Sequence, residues 1–185
     1  MAPTSHLSSL LVRDGIVSVR RMEQAFQRLV IYGGALDTVL LEMNSVSEER
    51  LLQYLALAND LPAADRPLLE FFDPRAVQLC PLANAEKYLV APIAFEAGAL
   101  RVVTTDPVDR PRLEALAALL DWPIQAFVTP EYRYHLLFER LFGIPTPPRF
   151  AALAQRRATA SVVAQSVDHP INLSGGVPRR TATAQ

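Results

Sequence analysis

The stretch His6-Leu7-Ser8-Ser9-Leu10-Leu11-Val12-Arg13-Asp14-Gly15-Ile16-Val17-Ser18 is followed, 29 positions on, by Ala35-Leu36-Asp37-Thr38-Val39-Leu40-Leu41-Glu42-Met43-Asn44-Ser45-Val46-Ser47. The two align position for position, and the register continues with Met22 over Leu51 and Phe26 over Leu55. A copy of this length cannot bury its own apolar face, so two copies imply one packed unit with a pseudo-symmetric seam. Apolar residues recur at i, i+3, i+4 and i+7, as in Leu7, Leu10, Leu11 and then Met22, Ala25, Phe26, Leu29. That spacing predicts a short helix followed by a longer one in each copy. Gly15 and Asn44 stand where the short helices must stop and turn left-handed. Ser18 and Ser47 are positioned to cap the longer helices, with Glu48 and Glu49 complementing the positive end of the second. Gly33-Gly34 separates the copies.

Beyond Leu61 the pattern changes. Asp73-Pro74 opens a short helix toward Leu79, and Tyr88 to Phe95 is a strand candidate. Glu96-Ala97-Gly98-Ala99 is a hairpin loop, and Leu100 to Thr105 the return strand. A helix from Asp109 through Leu120 then leads to a third strand at Ile124-Gln125-Ala126-Phe127-Val128, a step long enough for a right-handed parallel crossover. Thr129-Pro130-Glu131 caps a last helix with Tyr134, Leu137, Phe138 and Leu141 as its buried stripe, closed by Gly143. The expected fold class is α+β: a duplicated helical bundle over residues 1–60, then a small α/β sandwich with a three-stranded sheet over 61–143. The linker Asn59 to Pro67 carries two prolines and restricts motion between them. Residues 144–185 form a Pro/Ala/Arg-rich tail expected to be largely disordered beyond Arg157, with Ala151 to Arg157 able to extend a helix.

Composition narrows the function. Half of the 185 residues are apolar, enough for a core, and the net charge is -1, so no global field recruits nucleic acid or an anionic membrane. The 18 basic residues include one lysine, Lys87. A lone Cys80 precludes an internal disulfide, and neither a secretory signal nor an apolar run of membrane-spanning length is present, which sets a cytoplasmic expectation. His6, His135 and His169 are too scattered for a metal site. Cys80 reads as a buried structural thiol, since no cation or orienting His shares its local motif. Tyr132 and Tyr134 around Arg133 read as one helix, half buried and half solvated, and Arg179-Arg180 is too short for a binding patch.

The doubled Leu-x3-Leu pattern (Leu7/Leu11 and Leu36/Leu40) and the run Pro81 to Ile93 leading to Gly98-Ala99-Leu100-Arg101-Val102-Val103-Thr104-Thr105-Asp106-Pro107 resemble one known family. It is the N-terminal domain of type II secretion and type IV pilus assembly ATPases, the MshEN domain family, and the resemblance covers roughly residues 5 to 143. In ligand-binding members each repeat begins Arg-Leu-Gly, carries a Gly after its first helix and ends with Gln, and the pair grips cyclic di-GMP. Here the Arg positions hold His6 and Ala35, the Gly positions Ser8 and Asp37, and the Gln positions Leu29 and Ala58. Asp37 would set a negative charge where a phosphate must approach. The resemblance therefore implies a non-enzymatic interaction or regulatory module, with no cofactor and a protein partner of the secretion, pilus or signalling kind, such as a secretion or pilus ATPase or its regulator. The alternative is a cyclic di-GMP sensor with an altered site, drawing on His6, Leu7, Ser8, Leu11, Arg13, Gly15, Leu36 and Leu40. An enzyme ranks last: no nucleophile–base pair assembles, and no Gly-x4-Gly-Lys-Ser/Thr run exists for ATP hydrolysis, so the family's motor domain is expected to be missing.

Overall fold

The computed structural model describes residues 6–167, with side chains to Thr159. The end of the tail, with His169 and Arg179-Arg180, lies outside the described residues. Each repeat is a short helix followed by a longer one: α1 (His6–Arg13) and α2 (Val19–Tyr32), then α3 (Leu36–Glu42) and α4 (Glu48–Asn59). The two turns close through the same pair of bonds. Gly15 and Asn44 take φ of 67° and 49°. The Gly15 amide donates to Val12 O and that of Ile16 to Leu11 O, while Asn44 donates to Leu41 O and Ser45 to Leu40 O. This is the six-residue closure that satisfies a helix's last carbonyls through a left-handed residue. Ser18 Oγ and Ser47 Oγ accept from Arg21 N and Arg50 N, both at 3.3 Å, capping α2 and α4.

The second half adds α5 (Arg66–Glu70), α6 (Pro74–Leu79), α7 (Leu82–Tyr88), β1 (Ala91–Glu96), β2 (Ala99–Thr104), α8 (Arg110–Leu120), β3 (Ile124–Val128), α9 (Glu131–Phe142) and α10 (Pro148–Val167). The sheet order is β1-β2-β3, with β1 and β2 antiparallel and β2 and β3 parallel across α8. Ala97 and Gly98, with φ of 49° and 76°, make the tight hairpin turn whose twist suits the strands. Pro92, which cannot donate to a ladder, sits on the edge strand beside a register shift.

Four details differ from the sequence reading. Tyr88 ends α7 instead of opening β1, because Leu89 turns left-handed and stops the helix there. The segment read as linker carries its own order: Asp65 caps α5, and Ala64 N donates to Val128 O at 2.8 Å. Thr129 does not cap α9, since its hydroxyl donates to Ala64 O. Helix α10 starts at Pro148 and is packed, with Phe150 and Leu153 buried.

Two apolar cores result. One lies around the sheet, with Ile93, Leu100, Val102, Leu116 and Leu137. The other is the repeat core, and it recruits Val128, Tyr132, Phe150 and Leu153 from the second half. Helix α9 is therefore shared: Tyr132 points to the repeats, and Tyr134, Leu137 and Phe138 point to the sheet.

Candidate functional site

The structure sorts the eight candidate ligand positions into two groups. Leu7, Leu11, Leu36 and Leu40 come together in the repeat core, where all four are buried. Ser8 is buried as well. The remaining three are exposed and apart: His6 at the start of α1, Arg13 at its end, and Gly15 in the turn beyond. Arg13 is paired with Asp14 at 2.6 Å, and Tyr54 donates to the same carboxylate at 3.0 Å.

Asp37, the residue that stands opposite Ser8 in the repeat, is fully buried and caps a helix of the other half. Its Oδ2 accepts from Glu131 N at 2.6 Å and its Oδ1 from Thr38 N at 2.7 Å. The favour is returned across the seam. Glu131 Oε2 accepts from Thr38 Oγ1 at 2.7 Å and from Ala35 N at 3.2 Å, so α9 supplies the polar partner that the N-terminus of α3 lacks on its own residue Ala35. Burial, followed by the charges of Glu131 and Asp106, pushes the Asp37 carboxyl up to about 7 against the pull of its two amide donors. Asp106 is itself raised by burial, with Asn59 and His6 working the other way. Three carboxyl groups thus cluster at the end of the bundle where α1 and α3 begin.

Other polar bonds tie the halves together. Tyr132 donates to Glu48 Oε2 and Arg133 to Glu48 Oε1, both at 2.6 Å. Burial alone would raise the Glu48 carboxyl, but those two bonds outweigh it and hold it below the ordinary carboxylate range. Asn59 donates to Asp106 and accepts from Val108 N, at 2.9 and 3.1 Å. Arg149 at the start of α10 grips Glu42 with two nitrogens, at 2.8 and 2.9 Å, and donates to Gly33 O at 2.8 Å. Beside Glu48 the seam opens into a cleft of about 810 Å³, lined by the α3–α4 turn, Asp65, Arg66, Arg133 and Arg157. Its three arginines face Glu48, Glu49 and Asp65, which leaves no net charge to select an anion. Among the described residues no group of His, Cys, Asp and Glu could hold a metal ion.

With this geometry in view, the likeness to known proteins becomes specific. The profile of the MshEN domain matches residues 60–147. A solved structure of MshE with cdg superposes with a TM-score of 0.57 and is 32% identical, over 74% of this chain and 98% of that one. The chain belongs to the MshEN domain family.

The MshEN fold is shared with the N-terminal domain of XpsE, at a TM-score of 0.50 and 18% identity over 77% of this chain and all of that one. The type IV pilus assembly ATPases PilB of Myxococcus xanthus and Thermus thermophilus are 27% and 26% identical over 146 and 147 residues. This MshEN domain spans 25% and 16% of the length of those two relatives. No helix among the described residues is long and apolar enough to cross a membrane.

Sequence reasoning missed the seam of this MshEN domain because every bond in it joins residues more than 40 positions apart. One local signal was present: neither Ala35 nor Pro130 has a side chain that can cap the helix that follows it, so the first amides of α3 and α9 needed an acceptor from elsewhere. Cys80 is buried, and burial pushes its thiol up to about 11, which suits a structural role. His135 is half buried and stacked on Phe150, with burial lowering its pKa.

Proposed function

We propose that this MshEN domain is a non-enzymatic, cytoplasmic interaction or regulatory module that docks a protein of a pilus, secretion or signalling system, and that it does so without cyclic di-GMP. The observation that carries the reading is Asp37. At a position where the family resemblance implies a glycine beside a phosphate, the chain has a carboxyl that is fully buried and spent on capping α9. Glu131 and Asp106 add two further carboxyls close enough to raise it. A dinucleotide approaching the start of α3 finds the amides of Ala35 and Thr38 already held by Glu131 and Asp37, with His6 and Ala35 in place of the expected arginines. The apolar seam has a sufficient reason to persist without a ligand, because it is the core of the bundle.

The second reading, a sensor with an altered site, draws support from the likeness to MshE with cdg. It would rely on the exposed His6, Arg13 and Gly15, with Ser8 below them. Thermal unfolding of the full chain with cyclic di-GMP, and with GTP as a control, separates the two. A ligand at a hundred times its dissociation constant adds about 2.7 kcal/mol, several degrees for a domain of this size. The expected result is no shift at millimolar cyclic di-GMP. A shift that GTP does not reproduce establishes the sensor and ends the first reading.

A further inference from the structure

Helices α2 and α4 hold equivalent places in the two repeats, yet among the described residues only α4 has side chains hydrogen-bonded to the second half. Its anchors to the second half are Glu48, bound by Tyr132 and Arg133, and Asn59, bound by Asp106 and Val108. The residues 29 positions earlier are Val19 and Val30. They share one flank of α2, eleven residues or about three turns apart, and are 60% and 87% exposed. Ile31 and Tyr32 beside them are 70% and 66% exposed. A polar anchor in the later copy is thus an apolar residue in the earlier one. Isolated exposed valines need no explanation, but Val30, Ile31 and Tyr32 are three successive bulky apolar side chains exposed at the end of one 14-residue helix, with Val19 at its start.

The exposed charges of α2 are mostly positive. Arg20, Arg21 and Arg28 are exposed on the same helix, against Glu23 alone. Among the described residues Arg20 and Arg21 form no ion pair, and Arg28 lies over the Tyr32 ring at 5.9 Å. We propose that this face of α2 docks an acidic amphipathic helix of another protein. The apolar stripe of such a helix covers Val30 and Ile31, and its carboxylates meet the arginines. A second copy of this chain is a poorer occupant, because face-to-face pairing about a two-fold axis sets arginines against arginines. The inference rests on the interaction-module reading and gives it a surface and a partner chemistry.

The test is a phage-displayed library of 16-residue helical peptides, selected on the full chain, with the best peptide measured by fluorescence anisotropy. The expected winners carry Asp or Glu beside apolar residues at i, i+3 or i+4, and i+7. Their dissociation constant rises at least tenfold with Val30→Asp and with Arg21→Glu/Arg28→Glu, and rises with salt. These side chains are exposed, so the variants should keep the wild-type melting temperature. No enrichment, winners without acidic bias, or equal binding to the variants overturns the proposal. So does a dimer in sedimentation that Val30→Asp abolishes, or binding to phosphatidylglycerol vesicles in place of peptide. A cyclic di-GMP shift in the preceding experiment would remove the module reading whatever the peptides do, so the two failures are told apart.

Discussion

Asp37 is a carboxyl whose environment inverts the usual pH behaviour. With its folded pKa pushed up to about 7 by burial first, and an ordinary value of 3.8 when unfolded, it binds its proton more tightly in the folded chain. Its contribution to stability is therefore complete below about pH 4 and is lost as pH rises to about 7. Glu48, held below the ordinary range, slopes the opposite way and loses its contribution as pH falls. Comparing the wild type with Asp37→Asn cancels Glu48 and the other groups that do not couple to Asp37. Urea unfolding from pH 4 to pH 8 should show the wild type losing ground to the Asn variant as pH rises to about 7, then a constant difference. A difference that does not change with pH means the carboxyl titrates normally. At this scale the sequence was legible wherever a residue's partner is local: Ser18 and Ser47 cap three residues ahead, and Gly15 and Asn44 turn where a helix must end. Asp37 was illegible because its partner amide is 94 residues away, and an isolated Asp in the first turn of a helix looks like ordinary dipole chemistry.

The elements of the repeats and of the sheet were readable because each carries its own period. Residues Ile124–Val128 form a strand between two prolines, and the α1–α2 and α3–α4 pairs repeat one spacing twice. Helix α10 was hard to read for the converse reason. Up to Thr159 its apolar residues are mostly alanine, and only Phe150 and Leu153 there carry enough surface to mark a face. Those two suffice to dock it, with Arg149 as the polar clasp. Leu153 is 1% exposed, so Leu153→Ala should cost about 2–5 kcal/mol in thermal or urea unfolding. Leu119→Ala, on the exposed side of α8, should stay within about 0.5 kcal/mol. Equal small effects would make α10 a loose appendage instead of part of the repeat core.

The molecule as a whole has two cores but one shared helix. Leu61 borders both, α9 contributes to both, and each of α3 and α9 is capped by a residue of the other. Separate unfolding of the halves would leave those helix ends and the Glu48 pair unsatisfied. Trp122, packed edge-on against Phe95, reports the sheet half, while far-UV circular dichroism is weighted toward the helices. Both probes should give one midpoint in urea, as expected for a cooperative two-state domain. Distinct midpoints would show that the seam is weaker than its bonds suggest. The mutual capping also means that the two descendants of one duplicated segment live under different obligations. The later copy is bound by contract to α9, and a change there must be answered on the opposite bank. Among the described residues the side chains of the earlier copy make no such bond along the outer side of α2, and so that side can drift toward new acquaintances while the fold stays as it is.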